Sequence, residues 1–240
     1  MPRRRRPACH ARPDGYPLPI PRAKESPMIE ERREAKKMLE NITWLGHDSF
    51  RIKDDKVIYI DPWQLEDGEP ADLILVTHDH YDHFSLEDIQ RIRTDDTVVV
   101  TIAASARKLT GPVRTVKAGD KLTVRGIDIE VVPAYNINKR FHPQGAGHVG
   151  FIVTVGGQRI YHAGDTDFIP EMKDIEADIA LLPVSGTYVM TAEEAAKAAE
   201  AIQPKVAVPM HYGSIVGSVQ DAQRFKELCP VEVRILEKGR

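Results

Sequence analysis

Residues 71–84, "ADLILVTHDHYDHF", run from an unbroken apolar stretch into three histidines and two aspartates. An apolar run of this kind reads as a strand covered on both faces. The polar residues at its end are therefore held at the edge of a buried sheet. Two other stretches follow the same rule. "IYHAGDTD" brings Asp165, with His162 and Asp167 beside it, and "AVPMHYG" ends on His211. Strand ends in a layered β fold converge on one edge, so groups far apart in sequence can meet there.

The remainder of the chain supports layers of this kind. It has 240 residues, of which 42% are apolar, enough for one sizeable core. "NITWLGHDSFRI" (41–52) and "KVIYIDP" (56–62) read as paired strands about an Asp54-Asp55 turn. "SLEDIQRIR" (85–93) reads as a helix capped by Ser85, with Asp88 in its first turn. "DTVVVTI" (96–102) is a second apolar strand, followed by the small-residue helix "AASARKLT". Residues 113–134 hold two or three strands broken at Gly-Asp and Arg-Gly. A hairpin turns at Gly156-Gly157, and "ADIALLPVS" is a further apolar strand. "TAEEAAKAAEAIQP" carries a capping box, Thr191 with Glu194, and Pro204 lies past its end. Then come "KVAVPMHYG", the helix "SVQDAQRFKELC" and the strand "VEVRIL". Strands followed by strand–helix alternation, twice over, predict a helix–sheet–sheet–helix sandwich over 28–240. Residues 29–40, "IEERREAKKMLE", are strong helix formers. Residues 1–27, rich in Arg and Pro, read as a disordered tail, with a basic nucleic-acid or lipid arm as the alternative.

Composition excludes several classes. The formal net charge of −3 gives no global field for nucleic acid or a membrane surface. No stretch of about 18 apolar residues is present, and residues 1–27 lack the apolar segment of a secretory signal. Cys9 and Cys229 form neither a disulfide framework nor a zinc ribbon. A cytoplasmic setting and a small-molecule partner fit these facts. The oligomeric state is left open, a homo-oligomer included.

The donors are those that zinc and its first-row neighbours accept. His78 and His80 are two apart and face the same way on an extended segment, which suits one metal. Asp82 and His83 follow once the chain turns, and suit a second. Asp165 is a candidate bridge between metals about 3.5–4 Å apart. An Asp after Gly is more often a turn residue, and a lone His211 is more often structural. Their joint appearance carries the metal reading.

These segments resemble the metallo-β-lactamase superfamily. "HDHYDH" matches its H-x-H-x-D-H signature, followed in order by "GDT" and by a late His after an apolar strand. The resemblance covers roughly residues 41–235. "ITWLGHDSFRI", "IYHAGDTD" and "PMHYG" are similar to the UlaG-like branch, which includes L-ascorbate-6-phosphate lactonase. The resemblance implies an α/β fold, the four-layer αββα sandwich with two mixed sheets flanked by helices. It implies one metal on His78, His80 and a third His, a second on Asp82, His83 and His211, and Asp165 between them. Tyr135 and Asn136 stand where that third His is expected. His142, in the loop "NKRFHP", is favoured for the role, and His148 is the alternative. His47 reads as a half-buried core residue or a supporting group near the metals. His162 reads as structural.

The implied chemistry is hydrolysis of an ester, lactone or phosphoester. Two divalent metals, zinc first with manganese or iron as alternatives, lower the pKa of bound water from about 15.7 toward 7. Asp82 is the expected proton acceptor. Lys139 and Arg140 in "NINKRFHPQGAG" suggest an anionic substrate, although such pairs are usually just solvated. The competing readings are a nuclease like ribonuclease Z, which needs a basic surface, and a non-catalytic metal-binding or sensing protein. A phospholipase D-type enzyme needs an apolar membrane-docking segment, and the sequence shows none.

Overall fold

The computed structural model describes residues 39–239 together with Arg33 and Lys37. The expected tail over 1–27 and most of the helix expected over 29–40 lie outside the described residues.

The first half of the chain builds a six-stranded sheet. Its strands are β1 (Ile42–Gly46), β2 (Ser49–Lys53), β3 (Val57–Ile60), β4 (Leu73–Val76), β5 (Val98–Thr101) and β6 (Val113–Thr115), side by side in sequence order. Helix α1 (Leu86–Ile92) follows β4, and α2 (Ala103–Ala106) follows β5. The second half builds a seven-stranded sheet from β7 (Lys121–Val124), β8 (Ile127–Pro133), β9 (Val149–Val155), β10 (Gln158–His162), β11 (Ile179–Pro183), β12 (Val206–Met210) and β13 (Glu232–Val233). Helices α3 (Ala192–Ile202) and α4 (Val219–Leu228) follow β11 and β12. Both sheets open as an antiparallel meander and finish with three parallel pairings. The two similar halves expected from the sequence are thus real, and the fold is the αββα sandwich.

Alternation along β4 shows how the layers form. Leu73 and Leu75 enter the inter-sheet core with Phe50, Ile52, Phe151 and Val153. Ile74 and Val76 point to the other face, where Ile89 and Ile92 of α1 cover them. On the second sheet, α3 presents Ala192, Ala195, Ala196, Ala198, Ala199 and Ile202 to the core. Small side chains let that helix lie close to the sheet. Its capping box, Thr191 with Glu194, forms as read from the sequence.

The helix expected over 103–110 is confined to Ala103–Ala106 and the strand expected over 231–236 to Glu232–Val233. The largest difference from expectation is near the start of the sandwich. Residues 41–52 are not one strand but a tight hairpin, β1 to β2, with Gly46 opposite Ser49 and His47-Asp48 at the tip. Gly46 and His47 both adopt positive φ, 109° and 51°. "Gly-His" is no standard hairpin signal, because a non-glycine residue seldom takes this conformation. The turn carries His47 and Asp48 to the edge where the other strands end. No helix among the described residues is long and apolar enough to cross a membrane.

Candidate metal centre

Six strand ends or adjoining loops deliver side chains to one edge of the sandwich. The β1–β2 turn brings His47 and Asp48, the end of β3 brings Asp61, and the segment after β4 brings His78, His80, Asp82 and His83. The loop after β8 supplies His142, the segment after β10 supplies Asp165, and the end of β12 supplies His211. His47, Asp48, Asp61, His78, His83, His142, Asp165 and His211 are all buried.

The donors fall into three groups, two of which overlap. His78, His80 and His142 place one ring nitrogen each within 4.8 Å of one another. The Nδ1 of His80 lies 3.1 Å from Nε2 of His78 and 3.0 Å from Nε2 of His142. A second group joins His47, Asp82, His83 and His211, and a third, overlapping it, joins Asp48, His83, Asp165 and His211. Asp165 stands between them. Its Oδ2 is 3.2 Å from Nε2 of His142 and 3.4 Å from Nε2 of His211, and its Oδ1 is 3.3 Å from Nε2 of His83.

The network around the rings aims their nitrogens. Thr77 Oγ1 donates to Asp61 at 2.6 Å, so it accepts from Nδ1 of His78 at 2.9 Å. Asp61 accepts from Nδ1 of His83 at 2.8 Å. Ser185 Oγ donates to the Thr187 carbonyl and accepts from Nδ1 of His211 at 2.9 Å. The Tyr188 carbonyl accepts from Nδ1 of His142 at 3.2 Å. With Nδ1 occupied in all four, each Nε2 keeps its lone pair for the centre, an arrangement typical of metal-ligating histidine.

Buried groups without hydrogen bonds test whether a metal suits the donors. Both carboxylate oxygens of Asp48, Nε2 of His83 and Oδ1 of Asp165 are buried with no hydrogen-bond partner. The 3.3 Å approach of His83 to Asp165 lacks hydrogen-bond alignment. Buried donors and charges left this way are costly unless something compensates them. A cation would satisfy all of these atoms together, and the mixture of imidazole and carboxylate is the set that zinc and its neighbours take. The residues therefore fit the metals that the sequence implies.

Electrostatics point the same way. Burial pushes His211 down, but Asp165 and Asp48 reverse this and bring it up to about 9. His83 is likewise driven well above the usual imidazole range, with Asp165 and Asp61 outweighing burial. Burial alone would raise Asp165, yet His211 and His83 hold it well below the carboxylate range. Burial, and then the charge of His83, keep His78 well below its ordinary value.

The structure brings together all seven side chains singled out as ligands: His78, His80, Asp82, His83, His142, Asp165 and His211. His148 packs against the triad but is not one of its donors. Its ring stacks on His78 with centroids 4.7 Å apart, and burial, with His142 and His80, lowers its pKa to about 4. His47 reaches Asp82, Nε2 to Oδ2, at 3.3 Å. His162 accepts from Gly164 N through Nδ1 at 3.2 Å and donates to the Asp48 carbonyl through Nε2 at 2.8 Å, tying two site segments together. Lys139, offered as an anion anchor, is paired instead with Asp167 and lies 3.9 Å from Glu194. Sequence reading missed Asp48, Asp61 and Ser185. The rule that picked the other donors, an acid where an apolar strand stops, applies equally to "KVIYIDP" and would have found Asp61.

Comparison with known proteins agrees with this architecture. Residues 41–211 match the family model described as the beta-lactamase superfamily domain. A UPF0173 metal-dependent hydrolase from Methanopyrus kandleri is 38% identical over 226 residues, covering 82% of this chain and 97% of its own. Igni18, a metallo hydrolase from Ignicoccus hospitalis, is 26% identical, with a TM-score of 0.69 over 83% of this chain and 95% of that one. A protein from Parabacteroides distasonis, assigned as a metal-dependent hydrolase, is 37% identical, with a TM-score of 0.72 over 82% of this chain and 93% of that one. The fold, the donor groups and these relatives together place the chain in the metallo-β-lactamase superfamily of metal-dependent hydrolases.

Proposed function

We propose that the chain hydrolyses an ester, lactone or phosphoester bond of a small molecule at a pair of divalent metals, zinc in the first instance. The observation that carries this reading is the position of Asp165, whose two oxygens face His142 and His83 at 3.2 and 3.3 Å. A carboxylate between two histidine groups suits a bridge. His78, His80 and His142 would hold one metal and Asp82, His83 and His211 the other. Bound there, such a pair supplies an ionised water and polarises the electrophilic oxygen.

The protein's own groups do the remaining work. Asp82 lines a cavity above the donors. Its carboxyl stays below the ordinary range, because burial is outweighed by the hydrogen bond to His47 and by His83. It therefore remains charged at neutral pH and accepts the proton of the attacking water at Oδ. His47 Nε2, 3.3 Å away, holds that carboxylate in place. We also assign the enzyme to the cytoplasm, supported by two cysteines far apart in the sequence. The test is elemental analysis of purified protein together with a screen of esters, lactones and phosphodiesters. Two metals per chain and chelator-sensitive turnover are expected. One metal or none, or no turnover across the screen, overturns the reading.

A further inference from the structure

The cavity over the donors has a volume of about 440 Å³. Its floor includes His80, Asp82, His142, Asp165 and His211, and its wall is Tyr81, Phe141, Tyr188, Ile215 and Val216. No lysine or arginine lines it. Among the described residues, eight large hydrophobic side chains are exposed, and four of them ring this opening: Tyr81 at 66%, Phe141 at 45%, Tyr188 at 42% and Ile215 at 40%. Exposed apolar residues scattered singly need no explanation, whereas a cluster around a reactive floor marks a binding surface.

The wall is built rather than incidental. Phe141 meets Tyr188 edge to face, with centroids 4.8 Å apart. Tyr188 takes a left-handed backbone, φ 70°, which is costly for a bulky residue. That conformation accompanies a Tyr188 carbonyl bonded to Nδ1 of His142 at 3.2 Å and to Nδ2 of Asn136 at 2.5 Å. The same residue thus orients a donor of the floor and supplies a ring to the wall. Of the nearby charges, Lys139 is held by Asp167 and Asp79 at the rim pairs with Lys108 at 3.1 Å, while Arg140 is exposed and does not line the cavity.

From this we infer that the group beside the scissile bond is uncharged and apolar, an aryl or branched alkyl group, and not a second phosphate or carboxylate. The inference rests on the hydrolytic reading above. An apolar group would cover the exposed rings. A second anion would meet those rings with no lysine or arginine in the cavity lining to receive it.

Hydroxamates test this without turnover, because their head binds metal and their tail samples the wall. Calorimetry on the metal-loaded protein would compare acetohydroxamate, 3-phenylpropanohydroxamate and the carboxylate-tailed succinohydroxamate. Burying the phenyl tail should tighten Kd by about tenfold or more over acetohydroxamate. The carboxylate tail should give no gain. Phe141→Ala and Ile215→Ala, both at exposed positions, should each remove much of the phenyl gain. A carboxylate tail binding as tightly as the phenyl tail, or a phenyl gain intact in both variants, overturns the inference. Acetohydroxamate binding with no phenyl gain overturns it alone. Failure of acetohydroxamate itself to bind overturns the hydrolytic reading and this inference together.

Discussion

Asp61 accepts a hydrogen bond from Nδ1 of His83 at 2.8 Å, and this contact aims the other nitrogen of His83 at Asp165. Asp61 adopts φ 46°, which asparagine also tolerates, so Asp61→Asn should keep the backbone. It would lose the charge that fixes the tautomer of His83. Partners of this kind are typically worth about 10- to 100-fold in metal affinity or activity. Metal titration of Asp61→Asn should show that loss at one of two sites. Unchanged affinity would mean that Asp61 does not govern His83.

The two histidines considered for the third position of the first group separate cleanly. Elemental analysis of His142→Ala should find one metal fewer per chain, because its Nε2 lies 3.0 Å from His80 and 3.2 Å from Asp165. His148→Ala should retain both metals, since that ring packs against His78, His80 and His142 but its nitrogens do not join their donor group. The opposite pattern would exchange their roles.

Chelation should lower thermal stability. Asp48, His83 and Asp165 keep buried atoms without hydrogen bonds, and bound cations would compensate them. A ligand at 100 times its Kd stabilises the folded state by about 2.7 kcal/mol. For a domain of this size that corresponds to a fall in Tm of about 5–10 °C on removal. A scan with and without chelator, then with zinc restored, measures it. A Tm indifferent to chelator would argue against buried metal.

Gly164 has φ +63°, and a Cβ there would lie 3.0 Å from the Val149 carbonyl and 3.2 Å from Thr77. It precedes Asp165, so Gly164→Ala should move the bridging carboxylate. The left-handed backbone alone costs about 1–2 kcal/mol. Metal content should fall as well. Gly157, φ +77°, has nothing within 4 Å of such a Cβ. Gly157→Ala should lose comparable stability with metal content intact. Equal metal retention in both variants would show that Gly164 does not position the site.

Much of the framework was legible before folding because it rests on local rules. Leu73–Val76 reads as a buried strand from its apolar run, and α3 is delimited by Thr191, Glu194 and Pro204. Other features required non-local contacts. The β1–β2 turn depends on His47 accepting positive φ, which nothing in "GHDS" announces. Ser185 sits in a plain polar loop and gains its role only by meeting His211. Lys139 looked available for an anion until the fold placed Asp167 against it.

The sequence by itself determined most of the strands and helices, the superfamily and the seven principal donors, because periodicity, capping and motif spacing act over a few residues. Only the tertiary structure decided which donor atoms face one another, that His142 and not His148 closes on His80, and that the cavity wall is apolar. Those outcomes depend on loops from two sheets arriving at one edge. Their relative placement is set by packing of the shared core, which no single segment encodes.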